Sequence, residues 1–203
     1  MRRVAVIFGL FALLLPTAAW ASGIDLGNQF GTVTITNAGI VSRGSELLRF
    51  NGITAPAGHS MGSVSFSTGA LTSGDLWSGG TFSSVGSSFL VTGVGNYGQP
   101  KGIIFSGAFV GPISWTLVSH TYWFDYVFTL SGTIRGQLWT GRMVSGTVTE
   151  TINVYKNQWS HDHRGGIRVG GSNLTIPEPG TLGLLGTGLI AVAGTMRRKL
   201  FGC

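Results

Sequence analysis

Residues 121–135 read TYWFDYVFTLSGTIR, and this stretch decides the fold class. Tyr122, Phe124, Tyr126, Phe128, Leu130 and Ile134 fall on one face of an extended chain. Thr121, Asp125, Thr129, Ser131, Thr133 and Arg135 fall on the other, interrupted by Trp123 and Val127. A period of two, apolar on one side and polar on the other, is the pattern of a half-buried antiparallel strand.

The same rule holds on either side. Val144, Val148, Ile152 and Val154 oppose Ser145, Thr147, Thr149 and Thr151. Ile113, Trp115 and Leu117 share a face, as do Ile103, Phe105 and Phe109. Val33 and Ile35 oppose Thr32, Thr34 and Thr36. Shorter candidates are 38–43, 46–53, 62–67, 81–84, 88–94 and 167–175. No stretch of the body holds a helical period for three turns. About ten strands with Gly, Ser, Asn and Pro between them predict an all-β body over 22–175, an antiparallel β-sandwich or β-barrel. No strict repeat is present, which disfavours a solenoid. Gly107, Gly132, Gly136 and Gly146 sit inside predicted strands, where they suggest bulges or bends. The polar stretch 155–166 reads as a loop between late strands.

Composition narrows the class further. The chain has 203 residues, of which 34 are Gly and only 10% are charged. There is no Gly-x-y period, so a collagen is excluded. An apolar content of 43% is too high for a wholly disordered chain. A single Cys excludes an intrachain disulfide framework and a thiolate zinc site. The formal charge of +6 belongs largely to the two ends. The stretch 22–176 holds eight basic residues and six acids and contains no Lys/Arg run. A nucleic-acid partner is therefore not expected.

Both ends lie outside the predicted domain. Residues 1–21 read MRRVAVIFGLFALLLPTAAWA. A basic start, an apolar run from Val4 to Leu15 and the small-x-small pair Ala19 and Ala21 make a secretory signal peptide, with a signal helix over its apolar part and cleavage after Ala21. The apolar run is short for a membrane anchor. Export through the Sec translocon follows from this leader. At the other end, 176–203 reads IPEPGTLGLLGTGLIAVAGTMRRKLFGC. Pro177-Glu178-Pro179 cannot be helix interior. Residues 180–196 carry no charge, at the short end of a single transmembrane helix. Arg197, Arg198 and Lys199 follow as a cytoplasmic positive-inside stop. A plain C-terminal anchor would read similarly.

This order of parts, the tripeptide 177–179, the apolar span 180–196 and the basic cluster 197–199, resembles the PEP-CTERM sorting signal of exported bacterial proteins. The resemblance covers about residues 174–203. It implies an exosortase, a membrane-embedded cysteine protease-like enzyme, that recognises the tripeptide and removes the anchor, Cys203 with it. It implies hosts that make exopolysaccharide. It implies nothing about the activity of the body, because that family is defined by its tail. The chain departs from many members in carrying Leu200–Cys203 after the basic cluster.

Candidate chemistry in the body is sparse. His161 and His163, at i and i+2, could share one side of a strand and hold a metal, given a third ligand such as His59, His120 or Asp125. A solvated loop beside Arg164-Gly165-Gly166 is the expected reading, and a metal site the alternative. Ser160-His161-Asp162 is contiguous, whereas a catalytic triad converges in space, and no Gly-x-Ser-x-Gly elbow is present. Asp75, Asp125 and Glu150 are the candidate acids for glycoside hydrolysis. Glu150 lies in phase with Val148 and Ile152, which suggests partial burial; a bulge, or a salt bridge to Arg135 or Arg142, is the alternative to a functional role. Trp115 belongs to the predicted core. Trp123, Trp139 and Trp159 are candidates for stacking on sugar rings, and core packing is the alternative. The Thr rows 32/34/36 and 147/149/151 could form a flat hydroxyl lattice that meets ice, or simply express β-propensity on a solvent face. The expectation is a non-enzymatic envelope or extracellular-matrix protein, without a cofactor, associated with exopolysaccharide or with its own kind. A secreted carbohydrate-active or metal-dependent enzyme, or an adhesin-like module, would carry the same tail.

Overall fold

A computed structural model describes residues 23–120, 125–155 and 163–175. The expected signal helix over 1–21 and transmembrane helix over 180–196 lie outside the described residues. The described chain forms eleven strands: β1 (Gly23–Thr36), β2 (Gly39–Phe50), β3 (Ile53–Thr54), β4 (Gly62–Ser67), β5 (Leu71–Asp75), β6 (Gly79–Phe82), β7 (Ser88–Val94), β8 (Lys101–His120), β9 (Asp125–Leu138), β10 (Met143–Tyr155) and β11 (His163–Thr175). Eight of them close a barrel in the cyclic order β1, β2, β4, β7, β8, β9, β10, β11, with every neighbour antiparallel. Of the two expected architectures, the barrel is therefore the observed one. Closure comes from β1 pairing β11 along the length of both, from Gly23 opposite Thr175 to Ile35 opposite His163. β3 adds to β2. The β5–β6 hairpin adds to the second half of β8, where Phe82 faces Ile113 and Gly79 faces Thr116. A closed sheet leaves the barrel strands no open edge to pair with another chain.

The alternation read in the sequence sets which face points inward. Val33, Ile35, Ile113, Trp115, Phe128, Leu130, Ile134, Val144, Val148, Ile152 and Val154 are all buried. The intervening Ser and Thr residues point outward. An apolar interior with a hydroxyl-rich wall is the reverse of a barrel whose wall meets lipid. The interior is filled by aromatics on the β4–β7–β8–β9 side. Trp115 stacks on Phe128 at 4.3 Å, and Phe82 meets Trp115 edge-on at 6.4 Å. Phe89 meets Phe105 at 6.1 Å and Phe109 at 6.0 Å. The buried indole is satisfied, because Trp115 Nε1 donates to the Leu76 carbonyl at 3.0 Å. Trp115→Phe keeps the stack, removes that bond and leaves a small void. It should lower the unfolding free energy by about 1–3 kcal/mol in urea titration.

The strand glycines act by close approach. Gly107 and Gly136 face each other across β8 and β9. A Cβ on Gly136 would lie 2.4 Å from the Gly107 Cα and 2.8 Å from the Phe105 ring. The two bare positions thus receive an aromatic ring, the small-against-large filling that a narrow barrel needs.

Three local readings are corrected. Ile103 does not share the face of Phe105. Val91 pairs Phe105 while Thr92 pairs Ile103, so Ile104 is the extra residue of a bulge. Ile104 is buried and Ile103 is exposed, because a bulge advances the alternation by one residue. The candidates 38–43 and 46–53 are largely one strand, β2, which continues through a bulge between Ser42 and Ser45 with Gly44 at φ +70°. The expected loop 155–166 is shorter, since β10 runs to Tyr155 and β11 begins at His163.

Candidate functional site

One side of the interior is polar. It lies where β10, β11, β1 and β2 run side by side. Glu150 on β10 pairs Gly170 on β11, and Gly170 pairs Asn28 on β1. In-register antiparallel partners share a face, so Glu150, Gly170 and Asn28 form an inward-facing row. A Cβ on Gly170 would fall 1.8 Å from Glu150 Oε2 and 2.5 Å from Asn28 Oδ1. The missing side chain is what allows the carboxyl and the amide to meet across the middle strand. Asn28 Nδ2 donates to Glu150 Oε2 at 3.1 Å and to Ser45 Oγ at 2.9 Å. Ser45 Oγ donates in turn to the Gln29 carbonyl at 3.1 Å.

Backbone irregularities aim these groups. The bulge in β2 turns both Ser42 and Ser45 inward, three residues apart. β1 kinks just after Asn28, with Phe30 at φ +66° and Gly31 at φ +85°. A Cβ on Gly31 would lie 2.5 Å from the Ser45 nitrogen, so the kink packs tightly against β2.

Glu150 is fully buried. Burial pushes its pKa up to about 8, with the Asn28 amide opposing the rise. The carboxyl therefore holds its proton at neutral pH. A salt bridge to Arg135 or Arg142 does not form: both arginines are exposed, and the partner is Asn28. Asn28 Oδ1, Glu150 Oε1 and Ser42 Oγ have no hydrogen-bond partner among the described residues. A protonated Glu150 supplies a donor beside the acceptor Asn28 Oδ1. Over the same strands lies a groove of about 300 Å³, lined by Leu48, Arg49, Thr54, Asn28 and Gly170. Arg49 there is bridged to Asp25 at 3.0 Å.

The other candidates do not converge on this row. Asp75 is exposed at the end of β5, where the turn to β6 begins. There the Ser78 hydroxyl, with the Ser78 and Trp77 backbone N–H groups, holds its pKa below the ordinary value. Its role is to cap a turn. Asp125 starts β9 opposite Tyr155, five residues before Leu130, the cross-strand partner of Glu150, and its side chain lies outside the described residues. His163 lies in β11 opposite Ile35, whereas His161 lies outside the described residues. His59 and His120 are at opposite ends of the barrel, the first in the turn after Pro56 and the second at the end of β8. Among the described residues no group of three His, Cys, Asp or Glu could hold a metal. Trp139 is 44% exposed in the β9–β10 turn, tilted against Phe50 at 6.1 Å. Trp123 and Trp159 lie outside the described residues.

The Thr rows have a spatial outcome. On the outer wall Thr116, Thr129 and Thr151 line up across β8, β9 and β10, and Ser114, Ser131 and Thr149 form the next row. Thr133 and Thr147 make a third. Strand spacing of about 4.8 Å and a two-residue repeat of about 6.8 Å set the lattice of hydroxyls.

Comparison with known proteins bears on the tail. A family model described as the PEP-CTERM protein-sorting motif matches residues 175–199. The chain carries a PEP-CTERM sorting motif. It contains Pro177, Glu178 and Pro179 as well as Arg197, Arg198 and Lys199. The PEP-CTERM motif begins at Thr175, the last residue of β11, so the sorting tail starts where the barrel ends. No curated protein and no solved structure matches the chain.

Asn28 is the site residue that sequence reading missed. It stands in phase with Ile24 and Leu26, and a lone amide in an apolar phase was its available signal.

Proposed function

We propose that this protein is an exported envelope or extracellular-matrix component, exported by way of the Sec translocon. Its precursor is held in the membrane by residues 180–196 and sorted through the PEP-CTERM tail by an exosortase-like enzyme. The single observation that carries this is the sorting motif at 175–199, directly after the last barrel strand. The barrel acts by association and not by catalysis. What supports that reading is that Glu150 is wholly buried in the barrel interior, with the Asn28 amide and no second acid or histidine as its hydrogen-bond partner among the described residues. Its outer hydroxyl rows offer alternating donors and acceptors at regular spacing, a surface chemistry suited to the hydroxyls of an exopolysaccharide.

Intact-mass measurement of the protein from its producing cells tests the sorting step. The expected mass is that of a chain from Ser22 to the neighbourhood of Pro177. Pro177→Ala with Pro179→Ala should leave the precursor with its tail through Cys203. A double variant that matured like the wild type would overturn the assignment of the tripeptide.

A further inference from the structure

The chain termini of the barrel share one end with a cluster of its exposed apolar side chains; Val85 and Val118, 82% and 60% exposed, lie at the other end. β1 begins and β11 finishes at the shared end, with Gly23 paired to Thr175 and Thr175 to Ser145. The antiparallel order brings to this end the β2–β3 turn, the loop from β7 to β8 and the β9–β10 turn. These pieces touch. The Phe50 and Trp139 rings lie 6.1 Å apart, the Trp139 backbone N–H donates to the Ile104 carbonyl at 2.9 Å, and a Cβ on Gly98 would lie 3.4 Å from Ile53 Cδ1. Ile103, Met143, Ile53 and Trp139 are 56%, 53%, 47% and 44% exposed here. Lys101 and Arg142 lie among them, both exposed. Among the described residues at this end, the acid Asp25 is bridged to Arg49.

Only Ile176, Pro177, Glu178 and Pro179 separate Thr175 from the apolar segment that begins at Gly180. Five Cα steps reach at most about 18 Å fully extended. The headgroup layer on one side of a bilayer is itself about 5–8 Å deep. A rim tethered this closely, presenting Trp, aliphatic and cationic side chains, meets the chemistry of a membrane interface. Trp is favoured there, and anionic headgroups attract Lys and Arg.

We infer that this end of the barrel is a membrane-docking face, resting on the anionic phospholipid headgroups of the membrane that holds the precursor's tail. The inference rests on the sorting reading above. It adds that Ile53, Ile103, Trp139 and Met143 enter the interface while Lys101 and Arg142 bind lipid phosphates. The face would hold the tripeptide at the membrane surface, and removal of the tail would let the barrel leave it.

The test uses the tailed precursor in vesicles of phosphatidylethanolamine and phosphatidylglycerol, with a polarity-sensitive fluorophore on single cysteines in a Cys203→Ser background. The label is placed by Ile53→Cys, by Met143→Cys, by Val85→Cys in the β6–β7 turn at the opposite end, and by Leu189→Cys in the apolar segment. Brominated lipid should extinguish emission from positions 53, 143 and 189 and leave position 85 bright. Lys101→Glu with Arg142→Glu should restore emission at 53 and 143 while 189 stays quenched. Quenching at 189 without quenching at 53 and 143 would overturn the docking face and leave the anchor standing. Absence of quenching at 189 would overturn the anchor reading itself. A blue-shifted label at 53 or 143 that lipid does not quench would mean a protein covers this end, and would also overturn the inference.

Discussion

Raising the pH from 4 to 9 should destabilise the barrel by roughly 5 kcal/mol, and Glu150→Gln should remove most of that loss. In the unfolded chain the carboxyl gives up its proton near 4.5, whereas in the folded barrel it keeps it to about 8. Between those values unfolding releases a proton, so stability falls as pH rises. Stability is fully present below 4.5, declines across the window and levels off above 8. Each unit of separation is worth about 1.4 kcal/mol, which sets the scale of the total. The cause is burial: Glu150 sits between Leu130 and Gly170, with the neutral Asn28 as its hydrogen-bond partner. Gln has the shape of the protonated acid and keeps a donor that Asn28 Oδ1 can accept. At pH 8 the variant should therefore be the more stable protein, and at pH 4.5 the two should be close. Urea unfolding across pH 4–9 checks both. A wild-type slope equal to that of the variant would mean that Glu150 does not titrate in this window.

The fold class was legible because the strands alternate cleanly. β9, β10 and the second half of β8 keep their phase for six or more residues, and each inward position is apolar except Glu150 and a few glycines. The choice between sandwich and barrel was not legible. It depends on Gly23 meeting Thr175, a pairing across nearly the whole domain that no local pattern encodes. Bulges were the second source of error. Ile103 and Ile104 are both apolar, so neither periodicity nor composition could say which would face inward. The site was half legible. The phase of Glu150 is a local property and could be read. Its partner Asn28 is 122 residues away and could not, and a nearby arginine is the counter-charge that a local reading supplies. Trp115 was placed correctly because it shares a phase with Ile113 and Leu117. Trp139 sits in a turn, where phase carries no information.

The interior and the wall divide the work of the barrel. The aromatic side holds the buried rings of Phe66, Phe89, Phe105, Phe109, Trp115 and Phe128, large apolar groups that a domain without disulfides needs. The Glu150 side gives up part of the apolar interior for a hydrogen-bonded row. A buried polar row costs stability unless every member is satisfied. Its net effect is therefore greatest when Glu150 carries its proton, at or below neutral pH. The hydroxyl wall keeps the outside wet without charge, in agreement with the low charge content of the chain.

Gly170→Ala should cost about 3 kcal/mol in the wild type and about 1 kcal/mol or less in a Glu150→Ala background. The new methyl would fall 1.8 Å from Glu150 Oε2 and 2.5 Å from Asn28 Oδ1. Both atoms end side chains that could swing aside elsewhere. Here both residues are buried, and the Asn28 amide is tied to Ser45 and to Glu150 at once. Moving the carboxyl breaks its one hydrogen bond and forces a buried acid against Leu130 or Ser172, which is why the glycine is costly to replace. Removing the carboxyl opens a cavity of its own but leaves room for the methyl. The two losses must then be far from additive, with a coupling of about 2 kcal/mol in favour of the double variant. Gly146→Ala serves as the contrast. Its methyl would lie 1.8 Å from the Asn173 carbonyl oxygen, a backbone atom that cannot swing away. Its cost should be unchanged by Glu150→Ala. Equilibrium unfolding of the single and double variants gives the cycle. Additive losses at 150 and 170 would mean that Gly170 is required for strand closure and not for the row across it.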